Sequence, residues 1–145
     1  MKTLPVILSA VLATLIAFAG VGPQPAVLSG KWTFVSYSEK DLGRIPESQL
    51  PVLLFSDSSR KVSGSSGCNK INGSYEITGE HFTFGPMMST FKSCPDMEVE
   101  RFITRFLTKV AWYKMEDNKL YLYDAEDKTS FVIFRRNASS SNINL

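Results

Sequence analysis

From Lys31 onward the chain alternates hydrophobic and polar residues in short runs, broken about every 8–12 residues by turn-forming residues, as in an antiparallel meander or barrel. Lys31-Trp32-Thr33-Phe34-Val35-Ser36-Tyr37 puts Trp32 and Phe34 on one face and Val35 and Tyr37 on the other. A loop through Gly43 and Pro46 leads to Val52-Leu53-Leu54-Phe55-Ser56, and Asp57-Ser58-Ser59 forms a turn before a weak strand over 61–66. Asn72-Gly73 predicts a second turn ahead of Ser74–Thr78, and Gly79 turns the chain into His81-Phe82-Thr83-Phe84. Three more strands are expected at Trp112–Met115, Leu120–Tyr123 and Thr129–Arg135. Glu116-Asp117-Asn118 and Ala125-Glu126-Asp127 supply the turns between them.

Residues 95–111 change period. Val99, Phe102, Ile103, Phe106 and Val110 form one stripe of an amphipathic helix, with Pro95 suited to the first helical position. Asp96, Glu98 and Glu100 near its start and Arg105 and Lys109 near its end match the helix dipole. The predicted fold is mainly β with one α-helix: a strongly curved antiparallel sheet of about seven or eight strands packed on that single helix. Gly64 and Gly67 are candidate bend positions for the curvature.

The first residues change the picture from fold to address. Residues 4–22 carry no charge and are almost wholly apolar, and Ala17-Phe18-Ala19 has the small-x-small form of a signal-peptidase site. The expectation is a signal peptide over 1–19, a linker over 20–28, one domain over 29–136 and a polar tail over 137–145, with a retained anchor as the alternative for the first segment. With no cysteine beside the cleavage site, a soluble exported monomer in the periplasm or medium is expected, without a stable membrane span after cleavage. Of the 16 Lys and Arg, the signal segment holds only Lys2, and the rest are interspersed among 14 Asp and Glu. That scatter offers no basic surface for nucleic acid.

Export bears on Cys68 and Cys94, the chain's two cysteines. In an oxidising compartment two cysteines favour a crosslink; two free thiols, or a catalytic or metal role with the single His81, are the alternatives. A zinc site needs about three or four ligands, and a Cys nucleophile needs an activating base. A bond between them would pin the start of the helix to the Gly- and Ser-rich stretch 63–67. The acids sit in turns or at the helix start, where solvated surface is the ordinary reading. Ser65, Ser66 and Ser89 have no evident base, and no phosphate-cradling loop is present. No catalytic residue, metal or cofactor is expected, so the chain is read as a non-enzyme. Asn72 and Asn137 fit the glycosylation pattern, with Asn72 more simply a turn residue.

The run Gly64-x-x-Gly67-Cys68-Asn69-x-x-x-Gly73-x-Tyr75, then Ser89-Thr90-x-x-x-Cys94 and an acidic helix, resembles the META/HslJ domain family. Leu120-x-Leu122 and the closing Phe131-x-Ile133-Phe134 extend the likeness over about residues 29–136. Lys92 departs from the Met that many members carry. The resemblance implies a partial barrel around a helix, an envelope location, stress- or antibiotic-tolerance roles and no known enzymatic activity. Three modes of action remain open. One is binding an envelope protein through surface aromatics such as Trp112, Tyr113, Tyr121 and Tyr123. Another is carrying a small hydrophobic ligand between sheet and helix. The third is inhibiting an enzyme through Met87-Met88 or Arg44-Ile45-Pro46.

Overall fold

The structure is a computed structural model and describes residues 27–38, 43–126 and 128–138. The expected signal peptide, linker residues 20–26 and tail residues 139–145 lie outside the described residues. Among those described, nine strands and one α-helix follow in the order β1 (Gly30–Tyr37), β2 (Val52–Ser56), β3 (Lys61–Ser65), β4 (Lys70–Thr78), β5 (His81–Phe84), β6 (Met88–Ser89), α1 (Glu98–Leu107), β7 (Val110–Glu116), β8 (Lys119–Asp124) and β9 (Phe131–Arg136).

Every pairing is antiparallel, and the ring β1-β2-β3-β4-β5-β7-β8-β9 closes on itself as an eight-stranded barrel. The two-residue β6 is an extra strand beside the first half of β4. Closure removes the free edges that an open sheet would have exposed. The seam between β5 and β7 is the thinnest, with His81 opposite Trp112 as its one registered pair.

Alternation decides what goes inside. Trp32, Phe34, Leu53, Phe55, Tyr75, Phe82, Leu120, Leu122, Val132 and Phe134 fill the barrel, as an interior of eight strands allows. Their strand neighbours Leu54, Tyr121, Tyr123, Phe131 and Ile133 are exposed or half-buried. One residue changes sides. A β-bulge at Val35 shifts the β1–β9 register between Phe34 and Ser36, leaving Tyr37 opposite the buried Val132. Tyr37 therefore joins the inward set, against the expectation that it would share a face with Val35.

Two local expectations are corrected. Asn72-Gly73 is not a turn; both residues lie inside β4, paired with Ser63 and Val62 of β3. Glycine is required there by close approach, because a Cβ would stand 2.5 Å from Met87 Sδ and 2.8 Å from the Pro86 carbonyl oxygen. The helix is also shorter than 95–111. Asp96 Oδ1 accepts the Glu98 amide at 2.8 Å and starts it, so Pro95 precedes the helix. At the other end the Lys109 amide donates to Phe106 O at 2.9 Å, and Val110 belongs to β7. The apolar stripe overran the helix because the first strand residue happened to continue its spacing.

The helix sits over one mouth of the barrel. Tyr37 at the end of β1 contacts Phe102 and Phe106, the β3–β4 loop touches Glu100, and the Ala125 amide beyond β8 donates to Lys109 O. Val99, Ile103, Phe106 and Leu107 enter the barrel core, burying on the order of 2 kcal/mol each. The opposite mouth is closed by the segment 27–29: Leu28 is buried, and Trp32 Nε1 donates to its carbonyl at 2.7 Å.

Candidate functional site

The residues singled out from sequence gather largely at the helix-covered mouth. Cys68 and Cys94 form a disulfide with Cα atoms 6.0 Å apart, and no described cysteine is free. It joins the β3–β4 loop to the segment just before α1. That loop, Ser66-Gly67-Cys68-Asn69, closes around a carboxylate that the sequence reading placed only near a helix dipole.

Glu100 is 5% exposed and accepts from four donors on the loop. Its Oε2 takes the Ser66 hydroxyl at 2.8 Å, the Cys68 amide at 2.8 Å and the Asn69 amide at 3.2 Å, while Oε1 takes Asn69 Nδ2 at 3.1 Å. Gly67 has φ +130°, a conformation that L side chains rarely adopt, and this lets the successive amides converge. Burial by itself would raise the Glu100 carboxyl pKa. Hydrogen bonds from Cys68, Ser66 and Asn69 outweigh it and hold the group below its usual value, so the buried side chain is a carboxylate. Glu100 shares a helix face with Ile103 and Leu107, at i+3 and i+7, and a carboxylate on a buried face was the signal that could have found it.

Asn69 works in two directions. Its Nδ2 also donates to Lys92 O at 3.2 Å, while its Oδ1 accepts the Lys92 amide at 2.7 Å and the Thr90 hydroxyl at 2.9 Å. The side-chain amide thus pairs with Lys92 as a strand backbone would. Thr90 completes the brace: its Oγ1 accepts the Lys70 amide and its own amide donates to Lys70 O, each at 3.0 Å. Ser89 lies opposite Ile71 in the β4–β6 pairing and donates to Thr90 O at 2.9 Å. No buried side-chain polar atom among the described residues lacks a partner.

Held in the middle of this brace, Phe91 is fully solvated, at 103% exposure, and Met88 nearby is 67% exposed. What sets these two side chains apart from other exposed apolar residues is the segment that carries them, which hydrogen bonds to Asn69 and Lys70 tie to the start of β4.

Two family-motif residues lie elsewhere. Gly73 is in mid-strand, as above. Tyr75 is buried, stacks on Phe82 at 5.6 Å and donates its hydroxyl to Asp57 Oδ1 at the opposite mouth. His81 is exposed and lies against Trp112, ring centroids 3.8 Å apart, and both cysteines are in the disulfide, so neither is a free thiol for it to activate. Of the four aromatics offered as a partner surface, Tyr113 packs against the core; Trp112, Tyr121 and Tyr123 lie outside, where Tyr121 and Tyr123 meet Phe131. Among the described residues no three His, Cys, Asp or Glu side chains gather as metal ligands. None of the described helices is long and apolar enough to cross a membrane.

A family profile described as META domain matches residues 26–138, which covers the barrel and the brace around Glu100 and Asn69. The chain belongs to the META domain family. Comparison with curated protein sequences finds no match. Among solved structures, this META domain is similar to a protein from Burkholderia xenovorans, with 22% identity, TM-score 0.62, and coverage of 76% of this chain and 83% of that one. It is also similar to a DUF4847 family protein from Bacteroides vulgatus ATCC 8482, with 17% identity, TM-score 0.55, and coverage of 75% and 93%. At these identities the likeness is one of fold.

Proposed function

We propose that this META domain is an exported, non-enzymatic binding module that docks a protein of the cell envelope through the segment Met88–Lys92, with Phe91 as its anchor. The observation that carries the reading is a fully solvated Phe91 on a loop tied down by Asn69, Thr90 and the Cys68–Cys94 bond. Preorganisation of this kind lowers the entropy lost on association, and a buried aromatic anchor supplies the affinity of a hot spot. Lys70 and Lys92, both exposed, flank the tip and suit an apolar pocket with an acidic rim. Export is supported by the disulfide, which persists in oxidising compartments, together with the charge-free N-terminal run. Stress or antibiotic tolerance would be the physiological setting that the family likeness suggests.

The carrier reading in its lumenal form is disfavoured by the barrel interior, which Trp32, Tyr75, Phe82 and Phe134 occupy. A photo-crosslinking amino acid at position 91, activated in intact cells and followed by mass spectrometry, tests the proposal. It should capture one dominant envelope protein, and a photo-probe at the equally apolar, exposed Leu54 should not. Equal capture from both positions would mean that Phe91 marks no docking surface.

A further inference from the structure

A second feature of the helix-covered mouth involves none of residues 88–94. On the outer side of α1 a groove of about 430 Å³ runs between the helix and the ends of β1 and β8. Its floor is aromatic. Tyr37 and Phe102 have ring centroids 4.4 Å apart, Tyr37 and Phe106 5.9 Å, and Phe102 and Phe106 5.8 Å. The bulge at Val35 creates this floor by turning Tyr37 toward the helix. The volume falls within the range of small-molecule sites, about 300–1,000 Å³.

The rim is charged, with an excess of one sign. Arg101 and Arg105 stand four residues apart on one helix face, and Lys109 follows at the helix end. Like charges at that spacing repel, and among the described residues none of these three cations is in an ion pair. Two carboxylates also line the groove. Asp124 accepts the Glu126 amide at 2.9 Å, and Glu98 carries an interaction of its own. Three exposed cations over a floor of three rings are complementary to an anion with an apolar body.

We propose that this groove binds a small amphiphilic anion: one carboxylate, phosphate or sulfate head held by Arg101 and Arg105, with its aliphatic or aromatic body lying across Tyr37, Phe102 and Phe106. Arginine provides planar, multiply donating recognition of such heads, and the half-buried Tyr37 and Phe102 rings, backed by the buried Phe106, provide an apolar surface that costs little ordering.

The test uses purified, oxidised protein, with decanoate as the probe, decanol as its neutral counterpart and phosphatidylglycerol vesicles as the membrane arm. Titration followed by aromatic-resolved NMR should show saturable decanoate shifts at Tyr37, Phe102 and Phe106. Decanol should bind about tenfold more weakly. Arg101→Gln with Arg105→Gln, both at exposed positions, should cost about tenfold in decanoate affinity, leave decanol unchanged and leave the melting curve intact. Vesicles should not sediment the protein. Equal affinity for the two probes, absence of shifts, shifts confined to Trp112, Tyr121 and Tyr123, or vesicle binding that decanoate does not displace would each overturn the site.

Discussion

The two mouths of the barrel are closed by the same device used differently. At one, Asp57 Oδ2 accepts the Leu28 and Ser29 amides at 2.9 and 3.0 Å, and Oδ1 accepts the Tyr75 hydroxyl. At the other, Glu100 accepts two loop amides, a hydroxyl and a side-chain amide. Both carboxylates replace missing strand partners for backbone amides that a closed barrel leaves at its ends. The difference lies in what each end does with its apolar residues. The Asp57 end draws Leu28 inward and stacks Arg136 over Trp32 at 4.3 Å, so it seals. The Glu100 end adds a covalent bond and an Asn clamp, and then holds Phe91 outward in water. The Asp57 end also leaves an apolar residue in water, Val27 at 64% exposure, but on a segment without a crosslink, so the brace is what distinguishes the mouth at which docking is proposed.

The largest expected effect separates the ends covalently. Cys68→Ser with Cys94→Ser releases a crosslink spanning 26 residues of sequence and should lower unfolding stability by about 3.5 kcal/mol, measured by urea denaturation. Glu100→Ala comes next, since it leaves the Ser66, Cys68 and Asn69 donors without their shared acceptor. About 3 kcal/mol is expected, compared with about 2 kcal/mol for Asp57→Ala at the partly solvated opposite mouth. If the two carboxylate substitutions cost the same, the fourth donor and deeper burial of Glu100 add nothing to the bracing of its mouth.

Acid sharpens the comparison. Burial raises both carboxyl pKa values, but hydrogen bonds outweigh it, from Tyr75, Ser29 and Leu28 at Asp57 and from Cys68, Ser66 and Asn69 at Glu100, so both folded values lie below the usual 3.8 and 4.5. A depressed folded pKa gives stability that is fully present above the usual value and is lost as pH falls through the folded one. Stability should therefore decline below about pH 4.5, and Glu100→Gln should flatten that acid limb, read as urea midpoints across pH 2–6. The smallest effect on stability belongs to Phe91→Ala, within about 0.5 kcal/mol, because the ring buries nothing in the free protein.

The asymmetry also explains what could be read from the chain. Strands whose alternation is decided by burial, such as Leu120-x-Leu122 and Trp32-x-Phe34, were legible, because period two on a one-sided surface admits a single reading. The disulfide was expected from two cysteines read together with an expectation of export. Full closure did not, since the β5–β7 seam rests on one registered pair and carries almost no local signal. Asn72-Gly73 misled because glycine answers two demands, a tight turn or a close approach, and the crossing segment at Pro86-Met87 is invisible to local pattern. The bulge at Val35 hid Tyr37 for the same reason: register belongs to the partner strand. Glu100 was seen only as a dipole partner, because its ligands lie more than thirty residues away in sequence.

Docking through Phe91 requires that the Asn69–Thr90 brace and the Cys68–Cys94 bond keep residues 90–92 rigid while the ring stays in water. Backbone ¹⁵N order parameters for Thr90, Phe91 and Lys92 in the oxidised protein test it most directly. Values of about 0.85 are expected, as in the strands, falling below about 0.6 in Asn69→Ala. Values already below about 0.6 in the unaltered protein would contradict it.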